Sequence, residues 1–160
     1  MTERGRIEGG EQKALADIEL YGCHVMHVLA EDDLPPFSYS VGIQRSSAAP
    51  EIIVIGLKQP LSHFIVNEYN SRVRNGARFT PGQRVSGFIE GFECEGRAVH
   101  PSRYRDYMGW NLWLYDGGAF NALQLVYPTT SGVWPWDAEA DEWLRVWQPL
   151  LERAVSHGAR

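Results

Sequence analysis

Phe37-Ser38-Tyr39-Ser40-Val41-Gly42-Ile43 alternates large apolar residues with serine and glycine. Successive side chains of a strand point to opposite faces, so this period of two predicts a strand with one bulky face and one small-residue face. On its C-terminal side, past the small-residue loop Ser46 to Pro50, comes Glu51-Ile52-Ile53-Val54-Ile55-Gly56-Leu57. That β-branched run predicts a strand buried on both faces. On its N-terminal side Cys23 to Leu29 reads as a third strand, set off by the acidic turn Glu31-Asp32-Asp33 and the Pro35-Pro36 pair. These connections are too short for helical crossovers, which makes the three strands antiparallel neighbours and argues against a parallel doubly wound sheet.

Outward from this core, Gln12 to Leu20 reads as an amphipathic helix carrying Leu15 and Ile18, with Gly22 where it stops. Pro60 opens a second helix whose Leu61, Phe64, Ile65, Tyr69 and Val73 fall at helical spacing, ending at Gly76. Arg84 to Gly96 alternates as one long bent strand or a hairpin, with Gly87, Gly91 and Gly96 marking bulges or close approaches. Ser102 is placed to cap a helix running to about Tyr115, closed by Gly117-Gly118. Phe120 to Tyr127 is the last strand and Pro128 to Pro135 a loop. Asp137 is placed to cap a final helix bearing Trp143, Leu144, Val146 and Trp147, interrupted at Pro149. The order predicts a single α+β domain with a core over about residues 14–150. Its sheet is mainly antiparallel, or a partly closed barrel, flanked by three to four helices.

Composition narrows the function. A chain of 160 residues with a net charge of −5 lacks the general basic face of a nucleic-acid module. No apolar run is long enough to span a membrane. Met1 to Gly10 has no apolar core of a signal peptide, and Cys23 and Cys94 have no metal or redox spacing, so a cytoplasmic protein with two buried, reduced thiols is expected. Arg72, Arg74, Arg78 and Arg84 form a local positive cluster, read as a solvated edge with an anion site as the alternative.

Several segments together resemble the bacterial family called domain of unknown function 4262. They are Tyr21-Gly22-Cys23-His24-Val25, Pro36 to Ile43, Pro50 to Leu57, the Gly82 turn with Val85, Ala122 to Pro128, and Gly132-Val133-Trp134-Pro135-Trp136-Asp137. The family pattern carries a His before the Pro-Glu step and an Asp after the late Pro, where this chain has Ala49 and Thr129. The resemblance implies no particular activity. The order of Ser38 to Gly42, Ile52 to Leu57 and Leu61 to Val73 is also similar, at the level of fold, to flavin-reductase-type split barrels. FMN follows from that likeness only as a weaker option.

Candidate chemistry is sparse. His24 and His27 lie three apart on a strand and so face opposite ways, which argues against shared metal chelation; no metal is expected. His63, His100 and His157 have no carboxylate at a motif spacing. Glu51 opens an apolar strand and needs a partner, for which an Arg of the 72–84 cluster is the expected cation. His24 or His27 with Glu51 is the acid–base reading. Ser38 and Ser40 lack a nucleophile elbow, but with Gly42 their face leaves room for a planar ligand beside Tyr39.

All six tryptophans fall at or after position 110. Trp110, Trp113, Trp143 and Trp147 sit on two predicted helices at core spacing, leaving Trp134-Pro135-Trp136-Asp137 as a stiffened loop that clasps, walls a pocket or anchors a partner. Gln124 is the nearest polar residue to orient a ligand. The leading expectation is therefore a small-molecule pocket between strand 38–42 and the aromatic C-terminal region, built from Ser38, Tyr39, Ser40, Gln124, Trp134 and Trp136. A small acid–base enzyme and a protein-interaction module, including an oligomer, are the other readings.

Overall fold

A computed structural model describes residues 10–155 of the chain; the expectations for Met1 to Gly9 and for His157 lie outside them. One six-stranded sheet organises the described residues, in the order β1-β2-β3-β6-β5-β4. β1 (His24–Val28), β2 (Phe37–Val41) and β3 (Glu51–Ile55) form the expected antiparallel meander. β4 (Arg84–Ile89) and β5 (Phe92–Ala98) form a hairpin with a bulge between Val85 and Ile89. β6 (Ala122–Val126) slots between the two units, parallel to β3 and antiparallel to β5. The fold is α+β with a mostly antiparallel, open sheet. The barrel alternative fails because β1 and β4 are separate edges that do not meet.

Alternation divides the core. Ile52, Val54, Leu123, Leu125 and Cys94 face α3 (Gln59–Arg74), whose Ile65, Val66, Tyr69 and Val73 cover that side. Tyr39, Val41, Ile53, Ile55 and Ala122 face the other way. They are covered by α1 (Gly10–Tyr21) and by α4 (Tyr104–Tyr107) and α5 (Gly109–Leu114). One cross-sheet row on this second face runs Met26, Tyr39, Ile53, Gln124, Arg97.

Three local expectations are corrected. The 37–43 strand stops at Val41. Gly42 turns the chain at φ 100°, with Ile18 so close that a Cβ would lie 2.6 Å from it, and a one-turn helix α2 (Ile43–Ser47) replaces the expected loop. Such a φ is open to glycine at little cost. The helix expected over 102–115 is broken into a 3-10 turn, α4 and α5 at Met108, and its cap is the His100 ring, which accepts from Ser102 N–H. The last helix, α6, is short (Glu142–Trp147) and is capped by Asp141 rather than Asp137. Pro149 therefore follows the helix instead of interrupting it.

Candidate functional site

The parallel pair β3 and β6 borders an opening at its carboxyl ends. After Ile55 the chain turns into α3 on one face of the sheet. After Val126 it passes to the opposite face, where the Gln124 side chain donates to Pro149 O and accepts from Leu151 N–H. Neighbouring parallel strands whose connections leave to opposite faces open a crevice beyond their carboxyl ends. Here that crevice is a groove of about 340 Å³, lined by Gly56, Leu57 and Leu61, by Ile89 and Phe92 of the hairpin, and by Tyr127, Trp143 and Trp147.

The polar ends of these walls are already engaged. The Tyr127 hydroxyl donates to Ile55 O (2.6 Å) and the Trp147 indole N–H to Gly56 O (2.9 Å). Gln148 pairs in both directions with the Tyr127 backbone, accepting from N–H at 3.0 Å and donating to O at 2.9 Å. Carbonyls and amides at the strand ends are thereby satisfied by side chains, as buried backbone groups must be, and the groove presents ring faces and aliphatic surface. Trp143 stacks on Trp147 with centroids 5.9 Å apart at 13°, yet remains 64% exposed. Sequence spacing assigned both rings to the core, whereas Trp143 stands over the groove. Gly56 permits this closeness: at φ 90°, a Cβ there would lie 2.8 Å from Trp147 O and from the Tyr127 hydroxyl. A second opening, along β4 and Phe64, shares Leu61, Ile89 and Phe92 with the groove.

The predicted ligand residues are distributed differently. Ser38 and Ser40 point to the α3 side of the sheet while Tyr39 and Gln124 point to the other, as strand alternation requires. Trp134 and Trp136 stack on each other, centroids 5.0 Å apart at 10°, over Arg84 and Arg97 of β4 and β5. Those strands are separated from β2 by β3 and β6, so the two expected walls do not face one another. Glu95 joins Arg84 (2.8 Å) to Arg97 (2.7 Å), which also reaches Glu152 (3.2 Å), and Asp137 accepts from Trp134 N–H at 2.8 Å. The loop is a clasp holding the β4–β5 edge.

Among the described residues Glu51 bonds to none of the histidines. It is 0% exposed and accepts from the Ser40 hydroxyl (2.7 Å), Ile43 N–H (3.0 Å), Gln44 N–H (3.0 Å) and the Tyr115 hydroxyl (2.5 Å). Burial pushes its carboxyl up from the ordinary carboxylate range while these four donors pull against it. Among the described residues no arginine bonds to it. Arg72 pairs with Glu68 and stacks on Phe88, Arg74 donates to Tyr21 O, and Arg78 donates to the Val73 and Ala77 carbonyls at the end of α3 and to Ser47 O at the end of α2. The basic cluster is thus consumed in structural bonds.

At the β1 edge a third opening, of about 430 Å³, collects His24, His27 and His63. His24 Nδ1 meets Asp17 at 2.7 Å. His27 Nδ1 meets Ser38 Oγ at 2.6 Å, and His27 Nε2 meets His63 Nδ1 at 3.1 Å. A serine, a base and an orienting group in that order are the parts of a nucleophilic triad. Ser38 is only 3% exposed, behind His27, so its hydroxyl fixes the ring rather than meeting a substrate. Burial lowers the His27 pKa, and His63 and His24 lower it further. Burial also pushes the Cys23 thiol up to about 12 and Cys94 to about 11.

A family model described as Domain of unknown function (DUF4262) matches residues 17–141. The chain belongs to that family. The DUF4262 match takes in all six strands and the Gly56 to Thr130 wall of the groove; Trp143 and Trp147 follow it. Thr129 lines that wall. No curated protein and no solved structure matches the chain. Among the described residues, no helix is long and apolar enough to cross a membrane.

Proposed function

We propose that this DUF4262 domain binds a small, flat and largely apolar molecule in the groove beyond the carboxyl ends of β3 and β6. The observation that carries the reading is Trp143: a large indole, 64% exposed and held parallel to Trp147, over a groove of about 340 Å³ with apolar walls. Grooves of roughly 300–1,000 Å³ lined by aromatic side chains suit drug-sized ligands. Leaving so much indole in solvent forgoes the burial that usually rewards it. The ring fixes orientation by stacking, and Thr130 at the rim supplies a hydroxyl.

Titration with the uncharged dye N-phenylnaphthylamine, which brightens in apolar sites, tests this. The wild type is expected to show saturable enhancement at one dye per chain, and Trp143→Ala to lose at least about tenfold in affinity, the equivalent of about 1.4 kcal/mol of stacking and contact. Trp136→Ala is expected to bind as the wild type does. Loss in Trp136→Ala with retention in Trp143→Ala would return the site to the clasp loop and refute the groove.

A further inference from the structure

The geometry points to a binding site for a divalent transition-metal ion, of the Ni²⁺, Cu²⁺ or Zn²⁺ kind, between His27 of β1 and His63 of α3. It is independent of the groove, which lies on the Leu61 side of α3. The pair comes from elements far apart in sequence, brought together because α3 crosses the sheet and reaches β1. His27 Nε2 and His63 Nδ1 stand 3.1 Å apart. Two metal–nitrogen bonds of about 2.0–2.1 Å spanning that distance close an angle of roughly 95–100°, between square-planar and tetrahedral values. His63 is exposed, so its ring can turn to bring both lone pairs onto one ion.

The surroundings favour ligation over a bare hydrogen bond. Ser38 Oγ holds His27 Nδ1 at 2.6 Å, the outer-shell contact that fixes tautomer and ring orientation at metal-bound imidazoles. Around the pair, the opening of about 430 Å³ leaves room for solvent in the remaining positions. Asn67, one turn after His63 on α3, lines the same space. No group of three or more His, Cys, Asp or Glu side chains is assembled among the described residues, so the site is open and two-histidine. His24 takes no part because it points to the other face and is held by Asp17. The chelating partner of His27 is therefore not the histidine three residues away but one on the helix above.

Isothermal titration of the full chain, freed of metal, with Ni²⁺ tests the site, with Mg²⁺ as the hard-cation control. One Ni²⁺ per chain and no Mg²⁺ binding are expected. His63→Ala, a surface change that leaves the fold intact, is expected to lose about a hundredfold in affinity because chelation is gone. Ser38→Ala is expected to lose about ten- to a hundredfold with both ligands in place. His24→Ala is expected to keep wild-type affinity. Electron paramagnetic resonance of one equivalent of Cu²⁺ should count two nitrogens in the wild type and one in His63→Ala. Absence of Ni²⁺ and Cu²⁺ binding by the wild type, or binding that survives His63→Ala unchanged, overturns the proposal.

Discussion

Replacing Glu51 by glutamine isolates the buried carboxyl with no change of shape. In the wild type, Oε2 accepts from Gln44 N–H at 3.0 Å and from the Tyr115 hydroxyl at 2.5 Å, while Oε1 accepts from Ser40 and Ile43. An amide can keep one oxygen on Ser40 and Ile43, and the Tyr115 hydroxyl can rotate to accept from the new NH₂. Gln44 N–H cannot rotate and is left facing another donor. One such lost bond costs about 1–3 kcal/mol, which at about 2–4 °C per kcal/mol for a chain of this size lowers Tm by about 2–12 °C. The pH dependence has a definite sign. Burial raises the folded pKa of Glu51 above its unfolded value of about 4.3, so its contribution is fully present below that value and is lost as pH rises through the folded pKa. Glutamine does not titrate, so the gap between the two proteins is largest near pH 5 and narrows as pH rises. Calorimetric melting of both proteins at several pH values from about 5 to 8 measures it. Equal stability at about pH 5 would refute the Gln44 bond, and a gap that widens with pH would show that the four donors outweigh burial.

Other consequences follow from the same geometry. Gly56→Ala places a Cβ against Trp147 O and the Tyr127 hydroxyl at a left-handed φ, and is expected to cost about 2 kcal/mol or more in urea unfolding and to abolish dye binding. Trp134→Ala removes a 9%-exposed indole and the stacking surface for Arg84, and is expected to cost about 3 kcal/mol in the same assay with dye binding retained. Asp141→Ala should cost about 1 kcal/mol through loss of the α6 cap, whereas Ser102→Ala leaves α6 unaffected; chemical denaturation separates the two. Cys23 and Cys94, buried with raised pKa values, should resist iodoacetamide in the native protein and react fully in urea, as read by mass spectrometry.

The meander was legible because Phe37 to Val41 alternates by size and Glu51 to Ile55 is uniformly β-branched, signals that act within one strand. α2 was hidden because its cap is Glu51, a group on the next strand whose carboxylate collects the Ile43 and Gln44 amides. Asp137 and Asp141 both precede a helical pattern, and only the tertiary fit tells that one holds the Trp134 turn and the other the helix. Periodicity puts Trp143 and Trp147 on one helical face; what that face meets is set by β3 and β6, which no local spacing encodes. The pairing of His27 with His63 was illegible for the same reason, since it depends on α3 crossing to β1. That His24 and His27 face opposite ways needed only the period of a strand.

The place of β6 has a consequence for how the molecule is made. It is the last strand in the chain yet lies in the middle of the sheet, pairing Glu51 with Ala122 on one side and Glu95 with Val126 on the other. Until it arrives, the β1–β3 meander and the β4–β5 hairpin each carry a bare hydrogen-bonding edge and share no strand contact. Loops that must close before distant pairings form slow the search for the native state, and unpaired edges recruit other chains while it lasts. Assembly is therefore gated by residues 122–126, and a fragment ending after β5 is two sticky halves of a sheet rather than a smaller version of the domain.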